Sequence, residues 1–279
     1  MSFKIPLGSW VASGVEWLQN NDHGSFNAIG GAIDGLTSGV EVTLLAIPPL
    51  LLAGMFIVLG YWRLGWKFAL FCAASFGLIA SIGFWEQMVV TLALIGASTV
   101  ISLLIGIPLG IWSARSDNVE AVTRPILDFM QTMPAFVYLI PAAMFFGLGR
   151  VPGVIATVIF AMPPVVRLTS LGIRQVNKEQ VEAGIAFGCT QMQLLLKVQI
   201  PGAMPSLLAG VNQTIMMALS MVIIASMVGA GGLGNDVLSS ISRLDIGLGF
   251  ESGFAVVLLA IILDRITESF GVKRTNEGR

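Results

Sequence analysis

Of 279 residues, 55% are hydrophobic and only 11% are charged, against about 25% charged in an average soluble domain, and mean hydropathy is +0.86. These values exclude an ordinary soluble domain and point to an all-α polytopic membrane protein. A net charge of −1 offers no basic surface for nucleic acid, and Cys72, Cys189 and the single histidine His23 lie too far apart in sequence to suggest a disulfide framework or a Cys/His metal site.

From the N-terminus, residues 1–40 lack the unbroken apolar core of a signal peptide. Trp10 and Trp17 stand one heptad apart, so this segment is expected to form amphipathic helices on the external membrane surface. About 20 apolar residues cross a bilayer as a helix. Seven stretches qualify or nearly so, roughly 42–61, 68–85, 88–112, 126–148, 152–169, 206–229 and 251–267. Pro134 and Pro141 interrupt the fourth, and Pro163 and Pro164 the fifth; such residues bend a helix and free carbonyls, which suits a protein interior or a pathway. The chain thus divides into an external segment (1–40), two accessory spans (41–86), a transmembrane core (87–267) and a tail (268–279).

Basic residues set the orientation. With the N-terminus outside, twelve of the fifteen fall inside: Arg63, Lys67, Arg115, Arg124, Arg167, Arg174, Lys178, Lys197, Arg265, Lys273, Arg274 and Arg279. Only Lys4, Arg150 and Arg243 fall outside. The C-terminus and the polar stretch 177–205 are then cytoplasmic. The outer side carries Glu16, Asp22, Asp34, Glu41, Glu86, Asp236, Asp245 and Glu251, either a docking surface for a soluble partner or solvated side chains.

The polar stretch reads as two short helices around a glycine corner. Asn177 with Gln180, and Thr190 with Gln193, have capping-box spacing. Gly188 suits a left-handed helix end, and Pro201 is expected to end the second helix. Glu182-Ala183-Gly184, three residues, Gly188, nine residues and Val198-Gln199-Ile200-Pro201 resemble the EAA loop of ABC-importer permeases, whose pattern is E-A-A, three residues, G, nine residues, I-x-L-P. Gly replaces the second Ala, and Val and Ile replace Ile and Leu. The resemblance implies that Glu182, Ala183, Gly184, Ile185, Phe187, Gly188 and Pro201 form or shape the joint with an ATP-hydrolysing subunit, with Ile185 and Phe187 as apolar contacts in its groove. The run from Thr91 to SMVGAGGLG, about two-thirds of the chain, is similar to permeases for glycine betaine, proline betaine and choline. It implies the type I importer fold of the methionine permeases, an inner-membrane homodimer with the pathway between copies, two cytoplasmic ATPase subunits and a separate external binding protein. The implied role is osmoprotection.

The sequence holds no G-x-x-x-x-G-K-[ST] phosphate loop, so no cofactor is expected in this chain; ATP and Mg belong to the partner. The resemblance implies a permease subunit and not an enzyme. Gly229–Gly234 follows an apolar span and not a strand, which favours a close-packed turn over a dinucleotide loop. The confident spans hold almost no ionisable group of the kind secondary carriers use; Asp128 reads as charge complement to a helix N-terminus. Gln131, Thr132, Asn212, Gln213, Thr214 and Ser220 are polar groups in or near spans, and Phe129, Met133, Phe136 and Tyr138 offer soft or aromatic surfaces to a quaternary ammonium ion. These are the candidate pathway residues, with core packing and interhelical hydrogen bonding as the plainer roles. Gly106 and Gly110 make a small-xxx-small face for helix packing, with Pro108 between them allowing a bend. Rival readings are a same-fold permease for an amino acid or sulfonate, an ion-coupled secondary carrier and a scaffold without transport.

Overall fold

The computed structural model describes residues 23–271 together with Ser13. The Trp10/Trp17 segment and the basic tail lie outside the described residues. Among the described residues twelve α-helices follow in order: α1 (His23–Ala46), α2 (Pro49–Leu64), α3 (Trp66–Ser81), α4 (Trp85–Arg115), α5 (Asp117–Thr132), α6 (Ala135–Phe146), α7 (Arg150–Arg174), α8 (Lys178–Ala186), α9 (Gln191–Leu194), α10 (Ile200–Ala225), α11 (Leu233–Arg243) and α12 (Ile246–Gly271). No strand occurs among the described residues.

Helix α7 is the centre of the bundle, packed between α4 and α10. Small residues let the backbones close in. A Cβ on Gly106 would lie 2.5 Å from Val165 Cγ1, one on Gly110 would lie 2.7 Å from the Val166 carbonyl oxygen, and one on Gly172 would lie 2.7 Å from Ser206 Cβ. The small-xxx-small face of α4 therefore meets α7. Pro163 and Pro164 are buried inside α7, which runs through them unbroken. The main core joins α4, α7, α10 and α12 through Met88, Leu94, Val154, Met221 and Leu259, all essentially without solvent exposure. In a bilayer such packing relies on close contact, since lipid tails are as apolar as leucine.

Two ends of the bundle are distinguishable. At one, the chain leaves α7 for the 177–199 loop, and Arg174 binds the Ser113 carbonyl and the Asp117 and Glu120 carboxylates. At the other, the Leu233 N–H donates to Thr91 Oγ1 at 2.8 Å, and the Gly149 N–H donates to the Val228 carbonyl. Here Gly229, Gly231 and Gly232 have positive φ, and a Cβ on Gly234 would lie 2.4 Å from Ser226 Oγ. The glycine run is a close-packed turn. Helix α12 ends at the loop end, with Gly271 beside Leu208, and Arg63 at the end of α2 stacks 4.4 Å from the Phe270 ring. The α2–α3 hairpin therefore turns at that end too.

Several expected spans differ. Five described helices are long and apolar enough to cross a membrane, six if a bent pair counts as one, against the seven expected. The 42–61 stretch is not one helix: Pro48 and Pro49 separate α1 from α2, because proline lacks the N–H needed to continue and its ring restricts the residue before it. Helices α2 and α3 have 16 residues each, about 24 Å. The external segment expected over 1–40 does not stop there, since α1 runs to Ala46 and itself passes the length and composition test. The 126–148 stretch is α5 and α6, bent by 96° at Met133–Pro134. The Tyr138 hydroxyl donates across this bend to the Phe129 and Met130 carbonyls. Nor does Pro201 end a helix. A π turn at Leu195–Gln199 joins α9 to α10 in one 38-residue helical run, with the Ile200 N–H donating to the Leu195 carbonyl. The shifted register absorbs the donor that Pro201 lacks.

Candidate functional site

The loop is fastened on one side and bare on the other. The Thr190 hydroxyl accepts from the Gln193 N–H while the Gln193 side chain accepts from the Thr190 N–H, a complete capping box. At Asn177 only half of the expected box forms: Asn177 Oδ1 accepts from the Glu179 N–H. Helix α8 closes at Gly188, whose φ is +79°, with the Gly188 N–H on Ile185 O and the Cys189 N–H on Gly184 O. Gly184 is buried, and a Cβ there would meet Leu194 Cδ1 at 2.7 Å, so α8 rests directly on the α9 side chains. Leu195 and Val176 join Ile173, Ala203 and Leu207 in a second small core at the bundle end.

Opposite that core, Phe187 is 89% exposed and Ile185 57%, with Met192 and Leu196 also bare. Four large apolar side chains projecting from a polar, capped hairpin form the kind of patch that marks a protein contact. Glu182 does not belong to this patch. It lines a 410 Å³ notch with Arg115, Arg174, Lys178, Gln191 and Gln199, between loop and bundle. Arg115 and Lys178 offer this carboxylate positive charge across the notch, while Arg174 is already paired with Asp117 and Glu120.

A second cavity, of 390 Å³, lies between α5, α7 and α10 and reaches the same end. Glu120, Arg124, Leu127 and Gln131 line it from α5, three or four residues apart and so on one helix face. Arg167, Ser170 and Arg174 line it from α7, and Gln213 from α10. Arg167 Nη2 lies 2.5 Å from Asp128 Oδ1. Arg174 is shared by this cavity and the notch, so it couples the last turn of α7 to the α4–α5 corner. No cluster of His, Cys, Asp or Glu suited to a metal occurs among the described residues.

Residues 106–271 match the family model described as "Binding-protein-dependent transport system inner membrane component". The chain belongs to this family. It is 47% identical to the glycine betaine transport system permease protein OpuAB of Bacillus subtilis, over 99% of this chain and 98% of that one. It is 50% identical to the glycine betaine/carnitine transport permease protein GbuB of Listeria monocytogenes, over 98% of each chain. The glycine betaine/proline betaine permease protein ProW of Escherichia coli is 46% identical over 98% of this chain and 77% of its own length. Among solved structures, a chain of the inward-facing MetNI methionine ABC transporter superposes with a TM-score of 0.61 at 20% identity, over 69% of this chain and 94% of that chain. At that identity the likeness concerns the fold, that of type I importer permeases. This family member is thus a helical inner-membrane transport component, and its named relatives are permeases, not enzymes.

In this permease fold the expected pathway residues part company. Gln131 and Gln213 meet at the 390 Å³ cavity. Asn212 instead bonds to Asp264 and Thr267 of α12. Thr132 and Ser220 hydrogen-bond backward to the carbonyls of Phe129 and Met216 in their own helices. Phe129 and Phe136 are exposed, Met133 marks the bend, and Tyr138 closes it. Asp128 is not near the start of its helix, which begins at Asp117; its charge answers Arg167. On the acidic far side, Glu41 is buried and binds Arg150 at 2.9 Å, Asp245 Oδ1 accepts from the Leu248 N–H, and burial pushes the Asp236 carboxyl above its usual range. Glu41 and Asp245 serve the fold first, whereas Asp236 Oδ2 is buried without a hydrogen-bond partner. Sequence reasoning missed Arg167, Arg174, Glu120 and Ser170 as site residues. A signal existed for the first: Arg167 and Asp128 both fell two or three residues inside expected span ends.

Proposed function

We propose that this chain is the membrane-spanning permease subunit of an ATP-driven importer for glycine betaine or a related quaternary ammonium solute. The observation that carries the reading is the match, over nearly the whole chain, to permeases named for glycine betaine transport. The exposed Ile185–Phe187 face supports it, because a rigid apolar hairpin on a bundle without a phosphate loop suits a soluble ATPase as its partner. ATP and Mg sit on that partner, and a separate external protein delivers the solute.

Two copies of the permease pair around the pathway, each carrying one ATPase subunit. ATP binding closes the ATPases and draws the two loops together; the bundles open outward and accept solute; hydrolysis restores the inward-facing state. Solute biases this cycle only through unequal affinity for the two states. The loop end is cytoplasmic, as is the C-terminus, in keeping with the basic residues gathered there. The N-terminus lies outside by the same count of basic residues.

Purification from native membranes tests the joint. The complex should carry an ATPase, and a betaine-loaded soluble protein should stimulate it. Phe187→Asp should leave insertion and thermal stability intact, since the side chain is 89% exposed, but weaken ATPase retention at least ten-fold, as expected for an aromatic anchor. ATP-independent uptake without any co-purifying ATPase would favour the ion-coupled carrier.

A further inference from the structure

Three arginines line the 390 Å³ cavity, and they are not equivalent. Arg174 is saturated by Ser113 O, Asp117 and Glu120. Arg124 is largely in solvent and reaches Glu120 only at 3.7 Å. Arg167 has one carboxylate partner, Asp128, through a single guanidinium nitrogen. It stands two turns before α7 ends at Arg174, with Thr169 and Ser170 beside it, and both partners are partly exposed, Arg167 at 39% and Asp128 at 59%.

The surroundings of this pair are polar and incompletely matched. Ser170 lines the same cavity, is more than nine-tenths buried, and its hydroxyl has no hydrogen-bond partner. Gln131 and Gln213 bring amides from two other helices. The volume lies within the range of about 300–1,000 Å³ typical of small-molecule sites.

Resting on the transport reading above, we infer that this cavity is a transit subsite for a zwitterion that carries both a carboxylate and a quaternary ammonium. The solute's carboxylate takes the Arg167 fork, which suits two parallel N–H···O bonds. Asp128, released from Arg167, faces the solute's cation. Gln131 and Gln213 hydrogen-bond the carboxylate's remaining lone pairs. One internal ion pair opens and two form with the solute, so the exchange stays near balance. A transport subsite needs that balance, strong enough to enter and weak enough to leave. A solute bearing only a cation cannot engage Arg167 and so leaves Asp128 paired to it; a solute bearing only an anion would leave Asp128 unmatched.

The test uses proteoliposomes holding the complete complex with ATP in the lumen and the binding protein outside. Uptake of labelled glycine betaine is followed against rising luminal concentrations of unlabelled solute, each variant normalised to its own uninhibited rate. Luminal betaine should inhibit the wild type, and choline should need at least ten-fold more. Arg167→Gln should raise the half-inhibiting betaine concentration at least ten-fold and erase the difference from choline. Arg167→Lys, which keeps the charge and loses the fork, should give a rise of about three-fold and serves if the glutamine variant does not assemble. No luminal inhibition in the wild type, equal potency of choline, or unchanged inhibition in the variants would overturn the subsite while ATP-driven uptake still stood. A wild type that takes up no betaine at all would remove the transport reading, and the subsite with it.

Discussion

In the bundle, Gly110 has ordinary helical backbone, yet a Cβ there would lie 2.7 Å from both the Val166 carbonyl oxygen and Thr169 Cβ. In the loop, Gly188 has nothing within 4 Å of where its Cβ would stand, yet its φ is +79°. One glycine is required by a neighbour and the other by its own backbone. The difference separates the two jobs of the chain. Helices α4 and α7 must approach closely enough to pack backbone against backbone. The loop must turn a tight corner and keep its apolar side chains free.

Three substitutions sharpen this contrast. The largest effect belongs to Gly110→Ala, because the clash is with backbone and a β-branched side chain that cannot step aside; it should cost about 1–3 kcal/mol and lower the thermal midpoint of the detergent-purified permease. An unchanged midpoint would mean that α4 and α7 are not held in the contact described. Next comes Gly188→Ala, which meets no neighbour but places an L-residue in left-handed backbone at about 1–2 kcal/mol. It should leave the bundle's melting midpoint alone and reduce ATPase stimulation by the loaded binding protein, and Gly188→Asn should recover much of it. If alanine and asparagine behaved alike, backbone conformation would not be the reason for glycine there. Smallest is Gly184→Ala, where the obstacle is only the flexible tip of Leu194 and alanine gains helix propensity. These terms should cancel to within about 0.5 kcal/mol, leaving uptake within two-fold of wild type. A large loss would show that α8 and α9 pack more rigidly than Leu194 allows.

The prolines show how far the sequence could be read. Pro134 sits at a 96° break, Pro163 and Pro164 lie inside an unbroken α7, and Pro201 stands in a continuous 38-residue run. In sequence Pro134, Pro163 and Pro164 looked alike, as interruptions of a span, and Pro201 looked like a helix end. Each outcome depends on what surrounds the freed carbonyls: the Tyr138 hydroxyl at the break, tight packing around α7, and a π turn before Pro201. The loop was far more legible, because Thr190, Gln193 and Gly188 act on backbone groups within three or four residues. The acidic far side misled for the opposite reason: Glu41 has its partner 109 residues away.

From the sequence alone came the membrane class, the capped hairpin with its glycine corner and the resemblance to importer permeases, because hydropathy and capping are local properties of short windows. Only the tertiary structure decided that Gln131 and Gln213 share the 390 Å³ cavity while Asn212 turns to α12, and that Arg167 answers Asp128. Those partners stand 39 or more residues apart, and no local window contains that information; the divisions at Pro48–Pro49 and Met133–Pro134 lay in local prolines, and the structure decided only which prolines break a helix.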